Sequence, residues 1–390
     1  MISYLLVFGV SAGATFLATP LVRKLSLRAG FIDRPSDRKV HPEATPTAGG
    51  LAMFGGVLVA LGVARLMPQF SELFGRSSDL GAALLASSVL VLVGVVDDIR
   101  GVSALGKLSG QVLAAGLLIL AGVQLLWLYI PGQGILSLDP SLGVPLTVVW
   151  VVAIVNAVNL IDGLDGLAAG MMAIAAAAFF VYMYNAPGGA TSSAALLSTV
   201  VAGVCIGFLP WNFHPARIFM GDSGSELLGG LLAVATIVGV GRNPYPPSGG
   251  DVAVLAIPVL IPLLVLAIPF LDVVLAIVRR MRRGLGIAHA DKEHIHHRLL
   301  DIGHTHRQAV LLMYLWSALI SGTVLAVAFI NGRLVIGAIA LVALGIFLAT
   351  ALPRLVVRTG REHPGNGAGR PEELSQSGPA AAGGRRRASP

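Results

Sequence analysis

Eleven apolar stretches, most of them close to the length of a membrane-crossing helix, recur along this chain and leave little sequence between them. They cover residues 2–22, 49–67, 80–96, 107–129, 144–158, 167–184, 194–210, 224–240, 252–278, 309–330 and 334–352. A crossing needs about 20 mostly apolar residues, and in lipid each backbone polar group must be satisfied within its own helix. The stretch at 144–158 is short for that, and the one at 252–278 carries Pro258, Pro262 and Pro269, which a packed membrane helix absorbs as kinks. Composition agrees: only 12% of the 390 residues are charged and 55% are apolar, whereas a soluble domain carries about 25% charged residues. The expected fold is an all-α integral membrane protein, a polytopic bundle of about 11 transmembrane helices.

The 27 Lys and Arg residues decide the orientation. With the N-terminus outside, 23 of them fall on the inner side, and only Arg65, Arg76, Arg242 and Arg333 fall outside. That split follows the positive-inside rule and accounts for the net charge of +7 without invoking nucleic acid. The N-terminus is therefore expected outside and the C-terminus in the cytoplasm. The first stretch lacks a positive leading segment and meets Arg23 and Lys24 at its inner end, so it reads as a retained span. A single cysteine, Cys205, excludes an intrachain disulfide and a cysteine zinc ribbon. Residues 1–358 are read as one transmembrane domain with cytoplasmic loops at 23–48, 97–106, 159–166, 211–223 and 279–308. Residues 359–390, rich in Gly, Pro, Ser, Ala and Arg, are read as a disordered basic tail.

The inner loops hold nearly all the Asp, Asn and His, and the outer ones are short and plain. A transporter or channel would place ionisable groups inside its spans; among the spans only Asp272 approaches that. A one-sided arrangement suggests an enzyme at the inner membrane surface of the cell, with a membrane scaffold as the bland alternative. In the first inner loop, Arg38, Lys39 and His41 are donors suited to phosphate oxygens, and Gly49-Gly50 permits close approach to a ligand or a neighbouring helix. Asp97-Asp98 follows an apolar run directly; adjacent carboxylates at a membrane boundary usually hold a divalent cation, a cationic group or a shared proton, and Mg²⁺ suits carboxylate and phosphate together. Helix termination explains the same pair more blandly.

In the third loop Asn159, Asp162 and Asp165 recur every three residues, a spacing that a helical or turn-like path brings together to grip a nucleoside. No strand precedes the glycines there, so they do not read as a dinucleotide-binding turn. In the fourth loop, Asp222 stands at the start of a helix, where free N–H groups suit a phosphate or metal complex, and Phe219 three residues earlier is placed to stack on a base. The fifth loop carries His289, His294, His296, His297 and Arg298; without cysteine or a regular carboxylate spacing, a diphosphate is the better ligand than zinc.

Taken in order over residues 33–298, these loops resemble the polyprenyl-phosphate N-acetylhexosamine-1-phosphate transferases. The family's adjacent aspartates match Asp97 and Asp98, its Asn-x-x-Asn-x-x-Asp-Gly-x-Asp-Gly segment matches residues 156–166, and its Phe-Met-Gly-Asp-x-Gly-Ser segment matches residues 219–225. The sequence His-Ile-His-His-Arg at 294–298, and Pro42 where the muramoyl-pentapeptide branch has lysine, resemble the bacterial branch that uses UDP-GlcNAc with undecaprenyl or decaprenyl phosphate. The resemblance implies transfer of GlcNAc-1-phosphate to the lipid with release of UMP. UDP-MurNAc-pentapeptide, or another UDP-sugar, is the alternative donor.

It also implies Mg²⁺, or Mn²⁺ in its place, on Asp222 and Asp98. Asp97 would bind or deprotonate the lipid phosphate, with a covalent phosphoryl-aspartate as the rival route. Asn159, Asp162, Asp165, Phe219 and Asn212 would hold uridine, and Arg38, Lys39, His41, His296, His297 and Arg298 the phosphates and sugar. The implied setting is the cytoplasmic face of the plasma membrane, with a homodimer as one permitted assembly.

Overall fold

The computed structural model describes residues 1–33, 44–130, 134–186, 191–242, 304–329 and Gly337. It is a helical bundle: α1 (Ile2–Ala29), α2 (Gly50–Leu66), α3 (Ser71–Arg76), α4 (Asp79–Arg100), α5 (Ala104–Leu120), α6 (Pro140–Ile161), α7 (Leu167–Asn185), α8 (Ser193–Asn212), α9 (Gly221–Thr236) and α10 (His306–Phe329). Two small antiparallel hairpins interrupt it. Strands β1 (Ile32–Asp33) and β2 (Thr45–Pro46) flank the first inner loop, and β3 (Trp127–Ile130) pairs with β4 (Gly134–Ser137). Among the described residues seven helices are long and apolar enough to cross a membrane, or eight if the bent pair Gly50–Leu66 and Pro68–Gly75 makes one span. The stretches expected at 252–278 and 334–352, most of the loop at 279–308 and the tail at 359–390 lie outside the described residues.

The packing is that of a membrane bundle. In α1 the buried positions are Tyr4, Val7, Ser11, Thr15, Thr19 and Ser26, while Leu5, Leu6, Phe16, Leu17, Leu21 and Leu25 are exposed. Where lipid is as apolar as leucine, close contact between small residues holds helices together. A Cβ added at Gly203 of α8 would fall 1.7 Å from Ser11 Oγ, and one at Gly207 would fall 2.1 Å from the Ala12 carbonyl oxygen. Helices α8 and α9 are apolar almost all round and almost wholly buried, so they form the bundle's axis.

Several expected boundaries move, each for a local reason. The stretch at 107–129 is not one helix. Helix α5 stops at Leu120 because Gly122, at φ 81°, turns the chain and Val123 N–H closes back on Leu118 O at 2.8 Å. The apolar residues beyond it belong to β3, which an apolar-run reading cannot tell from helix. Helix α6 is longer than expected, at 22 residues, because Asp139 caps it by accepting from Ser141 N–H and Pro140 occupies its first turn. The loops expected at 23–48, 97–106, 159–166 and 211–223 all begin inside helices. Asp97 and Asp98 ride the last turn of α4, ended by Gly101 at φ 69°, Asn159 rides that of α6, and Asp222 the first turn of α9.

Candidate active site

The ends of α4, α6 and α8 and the starts of α2, α5, α7, α9 and α10 meet at one end of the bundle. The segment 219–224 organises them. Gly49 N–H donates to Phe219 O at 3.0 Å, Gly50 N–H to Met220 O at 2.8 Å, and Phe219 N–H to Pro46 O at 2.9 Å. The paired glycines are required by a helix rather than a ligand: a Cβ at Gly50 would lie 2.2 Å from Gly224 N, and one at Gly94 of α4 would lie 2.4 Å from Ser223 Cα. Gly221 has φ 71°, and an added Cβ would meet both Asp98 carboxylate oxygens at 2.5 Å. Backbones therefore approach to a distance no larger residue allows.

Asp98 grips the start of α9. Its Oδ1 accepts from Asp222 N–H at 2.8 Å, and its Oδ2 accepts from Ser223 N–H at 3.2 Å and Ser223 Oγ at 2.8 Å. This is a helix cap delivered from another helix; it satisfies the unpaired N–H groups and puts negative charge at the positive end of α9. Both Asp98 oxygens thus hold donors from the start of α9, and Asp98 fixes Asp222 in place.

The acid that shares a cation with Asp222 is Asp97. Lys107, near the start of α5, places its ammonium 2.6 Å from Asp97 Oδ2 and in direct contact with Asp222 Oδ2. Asp97 Oδ1 accepts from Val102 N–H at 2.5 Å, which fixes the turn between α4 and α5. Asn159 Nδ2 donates to Asp222 Oδ1 at 2.6 Å and to Ser225 Oγ at 2.9 Å. Asp162 follows the last turn of α6; burial first, then repulsion from Asp222, Asp98 and Asp165, pushes its carboxyl well above the usual carboxylate range.

One ammonium thus stands between the Asp97 and Asp222 carboxylates, with Asp98 holding the same helix start. Excess oxygen-only negative charge of this kind fits Mg²⁺, and Asp97 and Asp222 already converge on a cation. Lys107 entered the sequence reading only as a positive charge. A lysine at the start of an apolar run, ten residues after the aspartate pair, was the available signal. One turn further in, Asn156 Nδ2 donates to Gln111 Oε1 at 2.6 Å, and Gln111 faces the fully buried Glu226, a polar rung that sequence reasoning also missed.

The row of Asn159, Asp162 and Asp165 does not stay together. Asp165 turns to the neighbouring loop, where its Oδ2 meets His214 Nδ1 at 2.7 Å and accepts from Ala216 N–H at 3.1 Å. Asn212 is not available to a nucleotide. It is 2% exposed, its Oδ1 accepts from Gly166 N–H at 3.0 Å, and its Nδ2 donates to Ile218 O at 3.0 Å. It clamps the two motif loops together. Phe219 is half-buried beside them. Arg38, Lys39, His41, Asp272, His296, His297 and Arg298 lie outside the described residues.

Comparison with known proteins places this geometry. The family described as glycosyl transferase family 4 matches residues 80–240, from α4 through the end of α9. The decaprenyl-phosphate N-acetylglucosaminephosphotransferase of Mycobacterium tuberculosis is 42% identical over 355 residues, covering 87% of this chain and 86% of that protein. The chain is a polyprenyl-phosphate N-acetylhexosamine-1-phosphate transferase by family. This transferase shares the same level of identity, 42% over 362 residues, with the Mycobacterium leprae protein of that name, covering 87% of this chain and 88% of the other. It is 31% identical over 313 residues to the undecaprenyl-phosphate alpha-N-acetylglucosaminyl 1-phosphate transferase of Salmonella typhi, covering 77% and 78%. The transferase falls in the branch of the superfamily named for N-acetylglucosamine.

Proposed function

We propose that this enzyme transfers GlcNAc-1-phosphate from UDP-GlcNAc to a polyprenyl phosphate, giving polyprenyl-diphosphate-GlcNAc and UMP at the cytoplasmic face of the plasma membrane. The observation that carries this reading is the convergence of Asp97, Asp98, Lys107, Asn159 and Asp222 at one end of a membrane bundle, in a chain similar to relatives named for that transfer. The acceptor is a lipid and the donor is soluble, so the reaction belongs at a membrane boundary, where these residues sit.

A phosphate oxygen of the lipid attacks the β-phosphorus of the donor. The bond from that phosphorus to the oxygen bridging to the α-phosphate breaks, and UMP leaves with that oxygen. Three anionic phosphates must be brought together, so charge neutralisation is the main task of the site. Asp222 and Asp97 would hold Mg²⁺, which when bound would neutralise the diphosphate. Asp98 keeps Asp222 aimed by holding the first turn of α9, and Asn159 fixes the other face of the same carboxylate. Lys107 shields Asp97 from Asp222 and leaves the lipid phosphate a cationic contact. Asp97 is the group that binds or deprotonates that phosphate. Asp162 and Phe219 contact the uridine, with Asp165 bracing the wall through His214 and Ala216. Arg38, Lys39, His41, His296, His297 and Arg298 complete the phosphate and sugar contacts.

The decisive experiment supplies UDP-GlcNAc labelled in the β-phosphate together with polyprenyl phosphate and Mg²⁺. Label in the lipid product and unlabelled UMP are expected, and added UMP reverses the reaction. Labelled UDP with an unlabelled lipid defeats the reading. The eleven-span, N-outside and C-inside topology belongs to the same proposal, supported by the split of 23 against 4 basic residues. Reporter fusions after Asp98, Gly166 and Arg298 should all be cytoplasmic, and a fusion within 243–250 external.

A further inference from the structure

Each of the three helices that bring Lys107, Asn159 and Asp222 to the carboxylate cluster carries a second polar side chain one turn deeper in the bundle. Helices α5 and α9 run away from the cluster and α6 runs towards it. Gln111 and Glu226, one turn on, therefore share a face with Lys107 and Asp222, and Asn156, one turn back, shares one with Asn159. These three meet. Asn156 Nδ2 donates to Gln111 Oε1 at 2.6 Å, and Gln111 Nε2 donates to Glu226 Oε1 at 3.4 Å. The charged rung at the end of the bundle is thus followed by an amide and carboxyl rung drawn from the same helices.

Resting on the transfer assigned above, we propose that Glu226 is a positioning residue for it. Through Gln111 and Asn156 it fixes how α5, α6 and α9 are rotated against one another, and so where Lys107, Asn159 and Asp222 point. Packing alone gives no reason for an acid here. Glu226 is 0% exposed and Gln111 1%, and Glu226 Oε2 has no hydrogen-bond partner among the described residues. A buried carboxyl with one oxygen unmet costs stability, and an apolar side chain of similar shape in its place is often neutral or stabilising. What the acid supplies is direction. A Cβ added at Gly229 of α9 would lie 2.6 Å from Val155 Cα of α6, and one at Gly110 of α5 would lie 2.5 Å from Val93 Cγ2 of α4. Such close contacts fix the spacing of helices more firmly than their rotation, whereas a hydrogen bond weakens steeply once its angle is lost.

Rotation matters at this site because its groups are already in contact. Asp222 and Glu226 lie one turn apart on α9, so a turn of the helix that moves one moves the other. Lys107 touches Asp222 Oδ2, and Asn159 Nδ2 holds Asp222 Oδ1 at 2.6 Å, so drift of any of the three helices loosens that carboxylate. A displacement of about 1 Å among reacting groups can cost about 10²-fold in rate.

The test uses the full-length protein in detergent micelles. Turnover and KM for UDP-GlcNAc are measured with polyprenyl phosphate, and Mn²⁺ affinity is measured without substrates by electron paramagnetic resonance. Glu226→Leu should lower kcat and weaken Mn²⁺ binding by about 10-fold or more, with KM changed less than about twofold and the melting temperature unchanged or raised. Glu226→Gln keeps an oxygen for Gln111 and should recover most of both losses. Gln111→Leu should match Glu226→Leu, and the double variant should be no worse than either, because the rung is broken only once. Trp150→Phe is the control. It removes the 2.8 Å bond from Trp150 Nε1 to Thr236 Oγ1, elsewhere between α6 and α9, and should lower the melting temperature while leaving kcat and Mn²⁺ affinity within about twofold. Wild-type kcat and Mn²⁺ affinity in Glu226→Leu overturn the proposal, and so do equal losses in Trp150→Phe or losses that add in the double variant. Where Glu226→Leu does not fold, Gln111→Leu decides by the same two readouts. Because Mn²⁺ binding needs no donor, a wild type that transfers no GlcNAc-1-phosphate defeats the reaction assigned above, while the Mn²⁺ titrations still decide the role of Glu226.

Discussion

The two ends of this bundle handle charge in opposite ways. At one, Asp79 at the start of α4 meets Arg242 after α9, with Oδ1 and Nη1 2.5 Å apart, and one acid answers one base. Ser78 Oγ donates to Ala121 O there, and Leu126 N–H donates to Gly241 O, so that end is closed by ordinary structural bonds. At the other end Asp97 and Asp222 share Lys107, while Asp98 and Asp162 stand within electrostatic reach of Asp222. A balanced pair contributes to the fold and requires nothing more. An unbalanced cluster at a membrane boundary is held against its own repulsion by packing and caps, which makes sense where cationic or anionic partners are to be recruited.

Variants at the two ends break or sharpen that contrast. Asp222→Ala removes the carboxylate on which Lys107, Asn159 and the expected metal converge; transfer should fall by about 10³-fold or more, measured as labelled lipid product in detergent-purified protein. Lys107→Met leaves Asp97 and Asp222 facing each other without the ammonium and should lower turnover about 10²-fold, with Lys107→Arg recovering part of it.

Asp98→Ala should act first on the fold. It removes the acceptor for Asp222 N–H, Ser223 N–H and Ser223 Oγ, and hydrogen bonds to a charged group contribute about 1.5–3 kcal/mol each. A net loss of roughly 2–4 kcal/mol, read as a lower melting temperature, should accompany a smaller fall in turnover than Lys107→Met produces. Asp98→Asn keeps an acceptor and should recover part of the stability.

At the opposite end, Asp79→Asn should change turnover less than about twofold while lowering stability by about 1–2 kcal/mol, since Arg242 is partly exposed and can turn to water. A large loss of turnover in Asp79→Asn, or none in Lys107→Met, would erase the functional distinction between the two ends.

The membrane character, a single helix in each of eight of the eleven apolar stretches and the gathering of the motif segments at one end could all be read from the residues, because hydropathy and charge placement are local properties. The β3–β4 hairpin could not. Residues 107–129 are apolar throughout, and only the turn at Gly122 separates helix from strand. Partnerships across the bundle were equally hidden. Asp97 and Asp98 are neighbours in sequence, yet successive helical residues point about 100° apart, so one faces Lys107 and the other the start of α9. Asn159, Asp162 and Asp165 look like one set by spacing, but the chain leaves the helix at Asp162, and Asp165 is carried to His214.

By itself the sequence determined that this chain inhabits a membrane and which segments carry its polar chemistry, since those follow from the transfer energies and charges of residues taken a few at a time. Tertiary structure alone decided that Asp98 is a cap, that Lys107 joins Asp97 to Asp222, that Asn212 is a clamp, and that Asp165, His214 and His306 meet. Each of these is a contact between helices or loops far apart in the chain. The Asp98 cap in particular depends on Gly50, Gly94 and Gly221, which let backbones come within reach at the start of α9.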